Sequence, residues 1–205
     1  VEATTQFFTD GHPTATYQKW CQDPAQWQQA LLADDGTFAA HFLTPPQTQP
    51  QVFQGTPVVQ ARVKVNADHG LLSAFLVDRG QARRLTTSPV VIAPRILRAG
   101  WHFGSDDLRE FELAKQPTPA KVIAFGHINL QNRHSASQVD ELRPDQFVDV
   151  TFPLQPIYHH LAAGHQWELI LFATDYLMTL RGNEALTYTL DLSHCHLTLS
   201  HAGRD

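Results

Sequence analysis

A chain of 205 residues, 42% hydrophobic and 17% charged, has the composition of an ordinary globular protein and the length to bury one sizeable core. With 15 basic residues against 20 acidic ones the net charge is −5, so the basic surplus that non-specific binding to nucleic-acid phosphates requires is missing. No apolar run approaches membrane-spanning length; the densest, Leu169 to Ala173, is far too short.

The N-terminus lacks the charged-then-apolar pattern of a signal peptide. It opens on Val1 rather than on a methionine, which reads as a piece cut from a longer protein. Two cysteines, Cys21 and Cys195, stand far apart. One disulfide between them is conceivable, but reduced thiols in a cytoplasmic protein are the simpler reading.

In chain order, Thr4 to Phe8 reads as a strand and Asp10-Gly11 as a turn. Asp23-Pro24 has the form of a helix start, aspartate at the N-cap and proline at the first helical position. The helix is expected from Ala25 to about Ala33, burying Trp27 and Leu31 and stopping at Asp34-Asp35-Gly36. Trp20 and Trp27 read as packing residues rather than a ligand platform. Thr37 to Leu43 is a strand, and Thr44 to Pro50 a proline-rich connector that resists both helix and central strand. From Gln51 the strand signal is sustained. Val59, Ala61, Val63 and Val65 alternate with Gln60, Arg62, Lys64 and Asn66, the mark of a half-buried strand. After the turn Asp68-His69-Gly70, the run Leu71 to Asp78 is expected to return as the second arm of a hairpin.

Arg83 to Thr87 and Ile92 to Leu97 are shorter strand candidates. Gly100 to Pro119 is polar and reads as a long surface excursion. Its acidic run of Asp106, Asp107, Glu110 and Glu112 reads as a solvated loop in preference to a calcium site, since calcium demands six or more converging oxygens. Val122 to Leu130 is a strand, followed by a polar loop to Asp145. Val148, Val150 and Phe152 alternate with Asp149 and Thr151 until Pro153 and Pro156 interrupt the pairing. In Trp167 to Ala173 both faces are apolar, which places the strand well inside a sheet. In Thr187 to Leu192 the residues Tyr188, Leu190 and Leu192 face a core, with Thr187, Thr189 and Asp191 toward water. Leu197 and Leu199 mark a last strand. About ten short strands with turns between them, one short helix and no internal repeat point to an all-β, two-sheet antiparallel sandwich of jelly-roll type.

Chemistry is sparse. An α/β-type serine hydrolase places its nucleophile on a Gly-x-Ser-x-Gly elbow beside an oxyanion hole, and no such pentapeptide occurs. Ser73 falls inside a strand, while Ser135 and Ser137 fall in a loop. Cys195 lies between His194 and His196, but neighbouring strand residues point to opposite faces, so neither imidazole is aimed at the sulfur. The expected set of catalytic residues is therefore empty. Among twelve histidines, the spacing His194-x-His196 puts two imidazoles on one strand face and forms a weak zinc candidate lacking a third ligand. His159-His160 with His165 is a second cluster; rim histidines without metal are the preferred reading of both. Asp175 and Arg181 bracket the loop before the Thr187 strand, with Gly182-Asn183 as its turn. They are expected to fix that turn rather than bind a ligand. No cofactor is called for.

Several phrases then fit together: Phe53-Gln54-Gly55-Thr56-Pro57, Gly70 to Asp78, Gly126 to Arg133, Phe152 to Pro156, Gly164 to Leu169, Thr174-Asp175, Thr179 to Asn183 and Tyr188 to Leu192. In order and spacing this series, over roughly residues 50 to 200, resembles the C-terminal domain of X-prolyl dipeptidyl aminopeptidases of the lactic-acid-bacterial type and the related cocaine-esterase-like hydrolases. The resemblance implies a galactose-binding-like sandwich that follows an α/β-hydrolase domain. In such enzymes a serine, an aspartate and a histidine of the upstream domain release Xaa-Pro dipeptides from peptide N-termini, and none of the three is carried onto this sequence. A sugar site does not follow from the fold label.

The expectation is a single domain over 1–205, with an N-terminal extension to residue 50 and a sandwich core over 51–205. The resemblance implies that it would be the non-catalytic C-terminal part of a cytoplasmic dipeptidyl peptidase. Its partners would be the upstream hydrolase domain, the peptide substrate through the parent enzyme, and a possible second copy of the parent in a homodimer, with neither nucleic acid nor membrane. The competing reading is a carbohydrate- or surface-binding module with an exposed aromatic pair, Trp101 and Tyr176, at one sheet end. An independent metal-dependent enzyme built on the histidine clusters is a third.

Overall fold

In chain order the regular elements are β1 (Thr5–Thr9), α1 (Thr14–Gln22), α2 (Pro24–Leu32), β2 (Ala39–Leu43), β3 (Gln51–Gly55), β4 (Val58–Val65), β5 (Leu71–Ala82), β6 (Val90–Val91), β7 (Arg109–Glu110), β8 (Thr118–Asn129), β9 (Val148–Pro153), β10 (Ile157–Leu161), β11 (Gln166–Phe172), β12 (Thr187–Asp191) and β13 (His196–Thr198). This is a computed structural model, and it describes residues 5–85, 90–91, 109–110, 113–176, 178–180 and 184–201. Two compact units result, one of Val1–Arg79 with Lys121–Asp205, the other of Gly80–Ala120.

The larger unit is an antiparallel β-sandwich. Sheet A has β4 at its centre, paired with β9 on one edge and with β12 and β13 on the other, and β1 lies outside β12. Sheet B runs β2, β11, β5, β8. A short ribbon of β10 and β3 completes the unit. The alternation read in β4 is what folding uses: Val59, Ala61, Val63 and Val65 are buried against Leu72, Ala74 and Leu76 of β5 and Leu169 and Leu171 of β11. Phe8 and Tyr188 stack within this core, ring centroids 5.0 Å apart. An all-β, antiparallel sandwich is what the sequence predicts.

Burial of both faces of β11 has a specific cause. Its inner residues Trp167, Leu169 and Leu171 join the sandwich core, while Ile170 and Phe172 are buried on the outer side. There α2 covers them: Trp27, 1% exposed, sets its indole 5.6 Å from the Phe75 ring and 5.8 Å from Phe172. Trp27 and Leu31, four residues apart, share one helix face, as predicted. Asp23 occupies the N-cap position, but its carboxylate accepts from Gln26 Nε2 rather than from the helix backbone. A second helix, α1, precedes it and is not read from the sequence.

The expected hairpin of β4 and β5 does not form. Both edges of β4 are already taken, so β5 crosses into sheet B between β11 and β8. The turn is tied down instead by Asn66, whose Oδ1 accepts Thr187 N at 2.8 Å, and by Leu130 N donating to the Gly70 carbonyl at 3.0 Å. A side chain at Gly70 would meet the Tyr188 hydroxyl and Leu130 at 3.2 Å. Gly126 is tighter still: an added Cβ would stand 2.5 Å from the Pro153 carbonyl oxygen, where β8 passes the end of β9. Thr189 and Asp191 also depart from expectation. They are 6% and 9% exposed because β12 is flanked by β1 and β4 and its outer side chains are screened by their neighbours.

In the smaller unit β6 pairs antiparallel with β7, and Leu85 bridges Leu113. Arg84 binds the carbonyls of Gly80 and Thr118, and Arg83 Nε donates to the Ala114 carbonyl at 2.9 Å. The strand expected over Ile92 to Leu97, Trp101, and Asp106, Asp107 and Glu112 of the acidic run lie outside the described residues.

Candidate functional site

The loop after β11 is built around Asp175, 1% exposed. Asp175 Oδ1 accepts the Met178 N–H at 3.2 Å, and its carbonyl accepts both Thr179 N and Thr179 Oγ1. Thr179 Oγ1 in turn accepts Asp175 N at 2.9 Å. A short polar side chain that bonds its own backbone a few residues on is the usual maker of such a turn. Arg181, the expected partner, lies outside the described residues. Beside the loop opens a cleft of about 220 Å³, lined among others by Asp10, His69, Asn129, Gln131, Thr174 and Tyr188. Asp10 Oδ2 takes the Thr174 hydroxyl at 2.9 Å, and the Tyr188 hydroxyl takes Leu71 N at 3.2 Å. These polar atoms hold the fold together at the end of the sandwich. Burial pushes the Tyr188 phenol well up, so it stays protonated.

Tyr176, the proposed exposed platform, is packed instead. Its ring lies 5.4 Å from Tyr17, 5.5 Å from Trp20 and 5.4 Å from Trp27, and its hydroxyl is buried. The cause is α1, which brings Tyr17 and Trp20 over this loop; Trp101 falls outside the described residues.

Two buried carboxylates escape sequence reading. Glu168 of β11, 2% exposed, accepts from Arg79 Nε and faces His41 Nδ1 at 2.9 Å, while Arg79 also donates to the Leu32 carbonyl at the end of α2. Burial pushes the Glu168 carboxyl up, but the hydrogen bonds from His41 and Arg79 outweigh it and leave it below the usual carboxylate range. On the opposite face of sheet B, Asp78 holds His159 Nε2 at 3.1 Å and His165 Nδ1 at 2.7 Å. Of the second histidine cluster, then, two members serve one buried carboxylate, and the exposed His160 leans on Tyr158. The missed signal is strand parity: a charged residue at an inward position of an apolar run, as in Phe75-Leu76-Val77-Asp78, needs a partner.

His194 and His196 do not share a strand face. His194 sits in the tight turn Leu192–His194, and β13 starts at His196. His194 Nδ1 meets Asp191 Oδ2 at 2.9 Å and Ser193 Oγ at 2.9 Å. The trio has the composition of a serine-hydrolase relay but not its wiring, which needs the two contacts on opposite ring nitrogens. Hydrogen bonds from Ser193 and His194 keep the Asp191 carboxyl below its ordinary range. Cys195 is a free, half-buried thiol donating to the Asp191 carbonyl at 3.3 Å, and burial pushes its pKa up, away from thiolate chemistry. The side chain of Cys21 lies outside the described residues. Ser73 is buried and donates to the Ala173 carbonyl at 2.6 Å; Ser135 and Ser137 bond one another in an exposed loop. Among the described residues no three histidine, cysteine or acidic side chains are grouped so as to hold a metal ion.

Known proteins resemble the chain as a whole. The family model described as the X-Pro dipeptidyl-peptidase C-terminal non-catalytic domain matches residues 1–205. An Xaa-Pro dipeptidyl-peptidase of Lactiplantibacillus plantarum is 39% identical over 202 residues, 96% of this chain and 25% of that protein. One from Pediococcus pentosaceus is 46% identical over 158 residues, 77% of this chain and 20% of the relative. The chain thus spans about a quarter or less of the curated relatives it matches. Among solved structures, an alpha-amino acid ester hydrolase superposes with a TM-score of 0.56 at 16% identity, over 88% of this chain and 29% of the other. A CocE/NonD family hydrolase from Staphylococcus aureus does so at 0.52 and 11%, over 80% of this chain and 30% of the other. At such identities these likenesses speak to the fold alone. The match over all 205 residues places the chain in the family of X-Pro dipeptidyl-peptidase C-terminal non-catalytic domains.

Proposed function

We propose that this domain belongs to a longer polypeptide that removes Xaa-Pro dipeptides from peptide N-termini. Its own part is to pack against an upstream α/β-hydrolase domain that carries the reaction. One observation carries the reading: 96% of the chain aligns with 25% of a protein named Xaa-Pro dipeptidyl-peptidase. The described side chains are in keeping with it: the buried carboxylates Asp78 and Glu168 are engaged by His159, His165, His41 and Arg79 in contacts that build the sandwich. The same proposal places the parent in the cytoplasm, in keeping with the free thiol of Cys195, and allows it to act as a homodimer. No described helix is long and apolar enough to cross a membrane. The carbohydrate-module reading loses Tyr176, which is half-buried and packed in an aromatic cluster.

The test is turnover of a chromogenic Xaa-Pro p-nitroanilide by this chain and by the full polypeptide. Release of p-nitroaniline is expected from the full polypeptide alone. Turnover by residues 1–205 at a comparable rate would end the proposal.

A further inference from the structure

The outer face of sheet A carries an arrangement that the sandwich itself does not use. Phe7, Thr189 and Lys64 stand in one cross-strand row, and Arg62, two residues before Lys64, stands opposite Asp149 in the next. Asp145, at φ 60°, turns the chain over the end of β4, its N–H donating to the Val65 carbonyl at 2.8 Å. Aspartate tolerates this left-handed conformation better than most residues. The turn delivers Phe147 to both cations at once: Arg62 Cζ lies 5.8 Å and Lys64 Nζ 5.4 Å from its ring centroid.

Two like charges gathered on one ring repel one another, and an anion placed between them would relieve both. Among the described residues neither Arg62 nor Lys64 makes an ion pair, Asp149 included, in a chain of net charge −5. Arg62 Nε is buried and lacks an acceptor. A covered guanidinium N–H without an acceptor is costly, and a carboxylate meeting the open part of the half-buried Arg62 side chain would offset the charge it carries. Around the pair the surface is open: Phe7 is 59% exposed, and Gln60, Asp149, Thr151 and His196 are exposed on the same sheet face.

We propose that this face of sheet A is a docking surface for an acidic segment from the remainder of the polypeptide. Arg62 and Lys64 close on one carboxylate, and Phe147 and Phe7 form its apolar border. The inference rests on the reading of the chain as one part of a longer peptidase, and it adds the surface and the chemistry of the contact.

Zero-length carbodiimide cross-linking of the full polypeptide, followed by peptide mass spectrometry, tests it. The reagent joins an amine to a carboxylate only where the two already touch. Lys64 is expected in amide linkage to an aspartate or glutamate outside residues 1–205. Arg62→Gln, which leaves the Lys64 amine intact, should lower that yield at least about fivefold by removing the second donor. Lys19→Glu, on the exposed surface of α1, should leave it unchanged. Lys64 linked only to carboxylates of residues 1–205, from the same or a second copy, or not linked at all, would overturn the assignment. Hydrolysis of Xaa-Pro p-nitroanilide by the same preparation separates the two ideas. An active enzyme without the cross-link defeats the docking surface alone; an inactive one defeats the peptidase reading whatever the cross-link shows.

Discussion

On the outside of sheet B, Trp27 lies on Phe75 and Phe172 with 1% of its surface exposed, and a buried glutamate ties helix end to strand. On the outside of sheet A, Phe7 stands 59% exposed and two cations share a phenylalanine ring without an acid. Both faces belong to strands with apolar inner residues, so the sandwich core alone does not explain the contrast. What differs is the cover. Sheet B is finished by residues of this chain, and its outer positions could therefore become apolar. Sheet A keeps the polar alternation of a face that the described residues leave open. The outer face of B is a second core, while that of A is a surface.

Removing the largest piece of that second core is expected to have the largest effect. Trp27→Ala deletes the indole between α2 and sheet B and leaves a cavity beside Phe75, Phe172 and Tyr176. Loss of a buried large aromatic costs about 3–5 kcal/mol, read as a fall in the denaturant midpoint. A loss below about 1 kcal/mol would mean that the helices rest on the sheet without holding it, a size typical of surface changes.

The polar tie of the same layer comes next. Glu168→Gln keeps the shape but removes the charge that Arg79 and His41 face, leaving Arg79 with the Leu32 carbonyl. Breaking a buried pair this way costs about 3 kcal/mol at neutral pH. The sign with pH follows from the depressed carboxyl. The folded-state value lies below the unfolded one, roughly 4.3, so the contribution is complete above that value and drains away as pH falls through the folded pKa. Wild type and variant should therefore converge in acid. Unfolding free energies measured from pH 7 down to pH 3 check it; a gap that stays constant would assign the loss to packing and not to charge.

The pattern of cover also explains what was legible in the sequence. The Val59 to Val65 alternation and the double-sided run of β11 report burial directly, and both are found as read. Trp27 and Leu31 at helical spacing announce their shared face. Pairing is different, because it depends on which edges are free. Local spacing suggests a β4–β5 hairpin, but β9, β12 and β13, all distant in sequence, claim both edges of β4. Long-range capture likewise hides the site-like groups. Asp78 finds His159 and His165 81 and 87 positions away, and Glu168 finds His41 127 positions away. Even the His194-x-His196 spacing misleads, since it presumes a strand where Asp191 caps a turn.

The smallest expected effect is the sharpest test of the contrast. Phe7→Ser removes an aromatic ring, as Trp27→Ala does, yet Phe7 is 59% exposed, in the cross-strand row with Thr189 and Lys64. Surface substitutions of this kind usually stay within about 0.5 kcal/mol. Calorimetry or urea titration of this chain should find Phe7→Ser close to wild type, with Phe8, its inward neighbour in the stack on Tyr188, as the contrasting position. A loss of about 2 kcal/mol or more would be the size reserved for buried groups. The outer face of sheet A would then be as structural as that of sheet B, and its exposed phenylalanine would need no partner to account for it.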